Sequence, residues 1–238
     1  MPSNDVAFIS DVHGNLPALK VVLADIESHG IKDLICLGDI VGYGGNPAEC
    51  VDLVRASGAR TITGNHDFAA SRQPGHFHEI SIEWAKEQLS PDQIAWLAAL
   101  PFTLETDDFE AAHASLWNPS GWPYIWTSSH ADEHFKHQRK PVSFIGHTHR
   151  PCIWIEGENR PIDPIGSEDL RKGKRHIVNV GSVGQPRDEN PKACYVIYSR
   201  EKQVVRYRRL DYDIAAAQEA ITYAGLPPRY AERLEYGK

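Results

Sequence analysis

The sequence predicts a mixed α/β fold in which two β-sheets pack together and helices cover the outside. The first third of the chain alternates short apolar runs with helical patterns in the order βαβαβ, which is typical of parallel strands covered by helices. The second half is mostly β, and the chain closes with two helical patterns. No repeat or linker divides the 238 residues. We therefore expect one domain over residues 1–238, with residues 213–238 as a helical closure.

The first third carries the clearest helix and strand signals. Asn15 can cap the first helix, Pro17 falls in its first turn, and Gly30 can end it in the left-handed conformation. Pro47 begins the second helix and Gly58 ends it. The three predicted strands are the apolar runs at residues 6–10, 34–37 and 60–63.

The later elements follow in a less regular order. Residues 80–100 have a helical pattern that restarts at Ser90, and Asp107 and Asp108 mark the turn of a hairpin. Residues 114–140 are rich in Trp, and we expect them to be irregular. The remaining predicted strands are residues 102–106, 109–113, 142–145, 152–156, 176–180, 193–198 and 204–210, and the closing helices are 214–223 and 228–234.

Charge and composition limit the classes of partner. Hydrophobic residues make up 41% of the chain and charged residues 24%, which is typical of a globular protein. The formal net charge is −7, so binding of nucleic acid through many Lys and Arg contacts is not expected. A small phosphorylated or nucleotide substrate is compatible with that charge. Nothing in the sequence indicates an oligomeric state.

The sequence has no pattern typical of export or of membrane insertion. No apolar run approaches the ~18 residues of a transmembrane helix, and the N-terminus does not resemble a signal peptide. The four cysteines are far apart in sequence and form no disulfide framework or zinc motif. We therefore expect a cytoplasmic protein that does not bind a membrane.

Five short segments concentrate Asp, Asn and His directly after predicted strands. Loops at the carboxyl ends of strands form the ligand crevice of α/β sheets, so we expect these segments to converge. One such residue alone is more often a turn or capping residue, but burying many ionisable groups together is costly unless a metal compensates. The segments are Asp11-Val12-His13-Gly14-Asn15, Gly38-Asp39, Gly64-Asn65-His66-Asp67, His113 and Gly146-His147-Thr148-His149.

The residue types in these segments suit divalent metal ions. Carboxylate, amide oxygen and imidazole are ligands for Mn²⁺, Fe²⁺ and Zn²⁺. A carboxylate has two oxygens, so one Asp can bridge two ions. Two ions about 3.5–4 Å apart form a clamp for phosphoryl displacement. The segments are therefore compatible with a centre of two divalent metal ions (Mn, Fe or Zn).

In this order the five segments resemble the motifs of the calcineurin-like metallophosphoesterases. The resemblance covers the chain from about residue 6 to residue 187. Residues 37–44 and 181–187, and the closing helices, are similar to the small bacterial branch described as diadenosine-tetraphosphatase-like or Ser/Thr-phosphatase-like. The resemblance implies a four-layer sandwich of two mixed β-sheets flanked by helices, which agrees with the element order.

The resemblance also implies a role for each residue. The two ligand sets, which share a bridging Asp39, are Asp11, His13, Asp39 and His149 for one metal, and Asp39, Asn65, His113 and His147 for the other. His66 would be a catalytic histidine near the leaving group, and Asp67 would orient it. The implied reaction is hydrolysis of phosphate mono- or diesters of small molecules or nucleotides by a metal-bridged hydroxide.

The chain departs from this branch after His113, where Ala114 replaces the usual Gly and a Trp-rich segment follows. Trp117 and Tyr124 could stack on a nucleobase or aryl group of the substrate. Alternatively, these rings could pack the loop onto the core. Arg187 could contact a second phosphate, or it could pair with one of the two acidic residues that follow it.

A further set of histidines lies outside these motifs. His130, His134 and His137 have the spacing of one helix face, i, i+4 and i+7. They could form another metal site, but a solvated helix face is the more common meaning of this pattern.

Two other functions are compatible with the same motifs. A protein Ser/Thr phosphatase would need a substrate groove that the sequence does not reveal. A non-catalytic metal-binding scaffold would keep the metal ligands without needing His66, so the intact motif favours an enzyme.

Overall fold

The structure is a computed structural model that describes residues 4–72 and 79–238. Its strands are β1 (Asp5–Ile9), β2 (Asp33–Cys36), β3 (Arg60–Thr61), β4 (Thr103–Glu105), β5 (Phe109–Ala112), β6 (Val142–Ile145), β7 (Cys152–Ile155), β8 (Ser167–Asp169), β9 (His176–Asn179), β10 (Ala193–Ser199) and β11 (Val204–Leu210). Its α-helices are α1 (Leu16–Ser28), α2 (Pro47–Ala56), α3 (Asn65–Ser71), α4 (Ile80–Gln88), α5 (Pro91–Ala99), α6 (Ser128–His137), α7 (Ile214–Tyr223) and α8 (Pro228–Tyr236). A short 3-10 helix lies at Pro119–Gly121.

The strands form two mixed sheets. The larger sheet has the order β3-β2-β1-β10-β11-β8, and β1, β2 and β3 run parallel, as the βαβαβ pattern predicts. The smaller sheet has the order β4-β5-β6-β9-β7, in which β5, β6 and β9 are parallel and the two edge strands are antiparallel. The predicted mixed α/β class is confirmed.

The alternation of side chains along β1 shows how the layers are built. Val6 and Phe8 face the core between the two sheets, whereas Ala7 and Ile9 face the core under the outer helices. Phe8 stacks on Phe144 of the smaller sheet with ring centroids 3.7 Å apart. Burial of each such large apolar side chain stabilises the fold by roughly 1.5–3 kcal/mol.

A separate apolar cluster covers the opposite face of the smaller sheet. There Ala131 and Phe135 of α6 pack with Trp154 of β7 and Ile177 of β9. Helices, larger sheet, smaller sheet and α6 therefore follow one another as four layers. This is the four-layer sandwich that the family resemblance implies.

The helix ends match the sequence signals. Asn15 accepts a hydrogen bond from the Ala18 backbone N–H at 3.1 Å and caps α1. Gly30 follows this helix with a φ of +67°, a left-handed conformation that costs glycine little. Ser90 caps α5 and forms a capping box with Gln93, so the predicted restart of the helical pattern is confirmed.

The expectation that residues 114–140 are irregular is wrong for part of the segment. Residues Ser128–His137 form α6, which Thr127 caps by accepting from the His130 N–H. The helix is stabilised because its apolar face covers the smaller sheet. The sequence does not predict α3 or β8, because both elements are short.

The interpretation of the three spaced histidines as a solvated face is wrong for His134. Its side chain is fully buried, and its Nδ1 and Nε2 lie 3.2 Å from Ser115 Oγ and 2.9 Å from Ser143 Oγ. Burial, with smaller contributions from His137 and Arg175, lowers the pKa of His134 to about 3. Among the described residues, no cluster of metal-type ligands includes these histidines.

The last two helices pack against each other beside the loop after β2. Leu226, Tyr230 and Leu234 belong to an apolar cluster that Tyr43 contacts. The helices correspond to the predicted closure. Within the described residues, no helix is long and apolar enough to cross a membrane.

Candidate metal centre

The five predicted segments meet at one edge of the sandwich. Three of them follow β1, β2 and β3 of the larger sheet, and two follow β5 and β6 of the smaller sheet. Because the two sheets pack face to face, the carboxyl ends of their parallel strands supply one site jointly. The metal-type side chains of these segments are all buried.

The first group of ligand-type side chains is Asp11, His13 and His149. Their ligand atoms lie within 4.8 Å of one another. His149 Nε2 is 3.1 Å from Asp11 Oδ1 and 3.1 Å from His13 Nε2. Asp39 Oδ2 lies 3.7 Å from His13 Nε2, so Asp39 adjoins this group. These four residues form one of the two predicted ligand sets.

A second group contains Asp39, His113 and His147, again with ligand atoms within 4.8 Å of one another. His113 Nε2 is 3.3 Å from Asp39 Oδ2. Asn65 begins α3 and lines the same cleft as Asp39 and His147. Asp39 therefore lies against both groups, in the position expected of a bridging carboxylate.

The imidazoles of His13 and His149 are oriented by backbone carbonyls. Their Nδ1 atoms donate to Val41 O at 3.1 Å and to Gln185 O at 2.6 Å. Burial lowers the pKa of both rings, and donation from Nδ1 turns each Nε2 toward the centre. The two Nε2 atoms lie 3.1 Å apart, so a single cation can contact both.

The carboxylates of the centre are held in their ionised form. Burial opposes ionisation of Asp11, but the imidazoles of His149 and His113 lower its pKa below the usual range. Burial likewise opposes ionisation of Asp39, and the charges of His113 and His66 outweigh it, so the Asp39 pKa is also lowered. Two buried carboxylates side by side therefore require positive charge nearby.

His113 shows how strongly the centre attracts positive charge. Burial lowers the pKa of His113, but the opposite effect of Asp39 is larger, so the pKa is raised to about 9. Its Nδ1 donates to Leu37 O at 2.8 Å, which turns Nε2 toward the carboxylates. The carboxylates of the centre therefore favour positive charge at the position of this ring.

Four buried atoms of the predicted ligands test whether a metal fits. Asp11 Oδ1, Asn65 Oδ1, His113 Nε2 and His147 Nε2 have no hydrogen-bond partner within residues 4–72 and 79–238. An unsatisfied buried polar atom costs about 1–3 kcal/mol. All four are atom types that coordinate Mn²⁺, Fe²⁺ or Zn²⁺. The residues present therefore fit a metal centre.

The backbone at the centre is strained in a consistent way. Five of the predicted ligands have left-handed backbone conformations, which cost of order 1–3 kcal/mol each for residues other than glycine. Their φ angles are 53° for Asp11, 48° for His13, 54° for Asp39, 66° for His147 and 60° for His149. The strain turns these side chains toward a common point.

His66 lines the open cleft, and its ligand atom lies within 4.8 Å of those of His13 and Asp39. Its ring centroid is 4.7 Å from that of His13, and its Nε2 is 3.9 Å from Glu79 Oε2. Its Nδ1 has no hydrogen-bond partner in the described part of the chain. Glu79 was not predicted as a site residue, because it lies outside every motif and reaches the cleft only through the fold.

Asp67 makes different contacts from those expected. Its Oδ1 accepts from the backbone N–H groups of Ile40 and Val41 at 2.8 and 3.2 Å, and its Oδ2 accepts from Gly64 N–H at 3.2 Å. It makes no hydrogen bond with the imidazole of His66. The carboxylate instead caps α3 and fixes the turn that follows Asp39.

An open cleft of about 180 Å³ lies over the centre. Tyr124 lines it and stacks on His147, with ring centroids 4.1 Å apart and an interplanar angle of 22°. Trp122 also lines the cleft, whereas Trp117 packs with the cluster that holds α6 in place. Trp117 therefore packs the loop onto the core, and stacking of Tyr124 on a substrate stays a prediction.

Arg187 reaches the cleft from the loop after β9. Its guanidinium donates to Gln185 Oε1 at 2.8 Å and lies 5.6 Å from the ring centroid of Tyr43. The neighbouring Asp188 pairs with Arg209 instead. Among the described residues, Arg187 forms no ion pair with either acidic residue that follows it. Tyr43 was missed as a cleft residue because a Tyr between glycines resembles an ordinary turn.

Comparison with known proteins gives a family match. The family model described as the calcineurin-like phosphoesterase superfamily domain matches residues 5–203. An uncharacterized protein of Methanocaldococcus jannaschii is 36% identical over 247 residues, and the alignment covers 100% of both chains. The phosphodiesterase YfcE of Escherichia coli K12 is 26% identical over 176 residues, which cover 70% of this chain and 80% of YfcE.

The same similarity is found among solved structures. The crystal structure of a metallophosphoesterase from Sphaerobacter thermophilus has a TM-score of 0.91 and 36% sequence identity. The match covers 99% of this chain and 100% of that one. The fold and the order of its elements are thus shared over the full described length.

Proposed function

This chain belongs to the calcineurin-like phosphoesterase superfamily, and from that premise we propose that it hydrolyses phosphate mono- or diesters of small molecules or nucleotides with two divalent metal ions. The ligand sets are the two given above, with Asp39 shared between them. Mn²⁺, Fe²⁺ or Zn²⁺ suits the donor set. When bound, such ions activate water and neutralise phosphate oxygens.

The chain's own residues support hydrolysis in addition to metal binding. His66 is the imidazole of the motif that has no place in either predicted ligand set, and it faces the open cleft. It would donate a proton to the departing oxygen. Glu79, with Oε2 3.9 Å from His66 Nε2, would help to orient this imidazole toward the cleft.

Arg187 supplies a fixed positive charge at the cleft wall. Among the described residues its guanidinium has no carboxylate partner, so it is suited to holding phosphate oxygens. Tyr124 covers one face of the predicted ligand His147 and shields it from solvent. These contacts would position a small phosphorylated substrate over the centre.

The observation that carries the proposal is the set of four unpartnered ligand atoms next to two ionised carboxylates. The direct test is hydrolysis of a simple aryl phosphate and a bis-aryl phosphate by the chain loaded with Mn²⁺. We expect turnover that a chelator abolishes and that added metal restores. Metal binding without turnover of either ester would instead support a non-catalytic scaffold.

A further inference from the structure

A second groove adjoins the cleft over the metal centre. The two share Tyr124 and Arg187, and the groove is also lined by Trp126 and Arg150. The cleft alone, at about 180 Å³, is smaller than the roughly 300–1,000 Å³ typical of small-molecule sites. The groove adds about 610 Å³. A substrate larger than a bare phosphate ester would extend from the cleft into this groove.

Three stacked rings lead from the metal centre to the groove. Tyr124 lies on His147, and Trp126 lies next to Tyr124 with ring centroids 5.5 Å apart and an interplanar angle of 18°. Trp126 is 50% exposed, so its indole is available to a further flat ring. Stacking of a base on an aromatic side chain is worth about 1–3 kcal/mol.

Positive charge accompanies this stack. The backbone N–H of Arg187 donates to His149 O at 3.2 Å, which places the loop of Arg187 beside that of Arg150. Nε of Arg187 is buried without a partner among the described residues. Arg233 lies on the same Tyr43 ring as Arg187, at 5.4 Å, and burial together with the charge of Arg187 lowers its pKa. Such clustering in a chain of net charge −7 favours a bound anion.

The opposing charges near the groove are few. Glu189 is the acidic side chain that lines the described part of the groove. Asp188 is occupied by Arg209. Within the described residues, the guanidinium of Arg150 forms no ion pair or side-chain hydrogen bond, so it remains available to a ligand.

We propose that this groove binds the leaving portion of the substrate, and that the substrate is a nucleotide with two or more phosphates. The inference rests on the proposed function. Trp126 stacks on the base, and Arg187 and Arg150 hold the phosphate next to the scissile one. Hydrolysis adds water across one P–O bond, so that the leaving portion keeps the bridging oxygen and gains a proton.

The test compares substrates on the metal-loaded full chain. The substrates are a simple aryl phosphate, a nucleoside monophosphate, a nucleoside diphosphate and a dinucleoside polyphosphate. Arg150→Ala is expected to lower kcat/KM about tenfold for the last two, because a hydrogen bond to a charged group is lost, and to leave the aryl phosphate unchanged. Trp126→Ala is expected to raise KM for every nucleotide and not for the aryl phosphate.

Arg160→Ala is the matched control, since Arg160 is exposed and lies outside the groove. Two results would overturn the assignment of the groove and leave the proposed function standing. One is turnover of the aryl phosphate without any preference for nucleotides. The other is that Arg150→Ala and Trp126→Ala affect all substrates equally. Absence of turnover on every substrate would overturn both.

Discussion

His66 is a buried imidazole that lines the cleft and belongs to neither predicted ligand set. We predict that His66→Ala keeps metal binding and lowers kcat on an ester with a poor, alkoxide leaving group by about 10²–10⁴-fold, the usual range for a general acid. The effect should be smaller on an aryl ester, whose leaving group needs less protonation. Steady-state kinetics on both esters measures it, and an unchanged rate on the alkoxide ester would remove this role.

His134 makes stability depend on pH. Burial lowers the pKa of His134 to about 3 in the folded chain, against about 6.5 for an ordinary histidine. Below about pH 6.5 the unfolded chain therefore binds a proton at His134, whereas the folded chain does not. The stability that the neutral ring provides is complete above about pH 6.5 and declines as the pH falls toward 3, by up to about 1.4 kcal/mol per pH unit.

His134→Gln should reduce that dependence, because Gln keeps a donor and an acceptor but does not titrate. Urea denaturation of wild type and variant at pH 7.5, 6 and 5 gives the free energies of unfolding. Arg160→Ala, an exposed substitution away from α6, is the control and should leave the slope unchanged. Equal slopes for wild type and His134→Gln would contradict the prediction.

Single residues could be predicted where their position after a strand is readable. Asp11, Asp39 and His113 each follow an apolar run, and the structure brings them together. Glu79 and Tyr43 could not be predicted in this way, because only the tertiary fold carries them to the cleft. The contacts of Asp67 were also not readable, since a carboxylate after a histidine can serve the ring or the backbone.

At the scale of elements, α3 depends on Asp67. Its carboxylate satisfies three buried backbone N–H groups. We predict that Asp67→Ala costs roughly 1–3 kcal/mol of unfolding free energy and weakens metal binding, because the turn after Asp39 loses its anchor. Chemical denaturation and metal titration measure the two effects.

Ser90→Ala is the matched control for that variant. Ser90 caps α5, away from the centre, and its loss should cost about 1 kcal/mol without changing metal affinity. If Asp67→Ala behaved like Ser90→Ala in the metal titration, the anchoring role of Asp67 would be wrong.

Elements with strong local signals were predicted, and those without were not. The caps of α1 and α5 identified both helices, and their positions are confirmed. By contrast, β8 has the polar sequence Ser-Glu-Asp and forms because it pairs with β11 at the edge of the larger sheet. Similarly, α6 is recognisable mainly by the sheet face that it covers. Tertiary contacts, which one sequence does not display, decide such elements.

For the whole molecule, the metal centre joins the two sheets, so metal binding should stabilise the entire fold. Binding at a free metal concentration of 100 times Kd contributes about 2.7 kcal/mol per site. We predict a Tm that rises with added Mn²⁺ and falls on chelation, measured by thermal unfolding. A Tm that did not respond to either would contradict a centre built from both sheets.

The most direct measurement is the metal content of the chain at saturating free Mn²⁺, by elemental analysis after removal of unbound ion. Two ions per chain are expected for the wild type, since the two ligand groups meet at Asp39. Asp39→Asn should impair both ions. Saturation of the wild type below two ions, or an Asp39→Asn chain that still held two tightly, would contradict the assignment of a shared dinuclear centre.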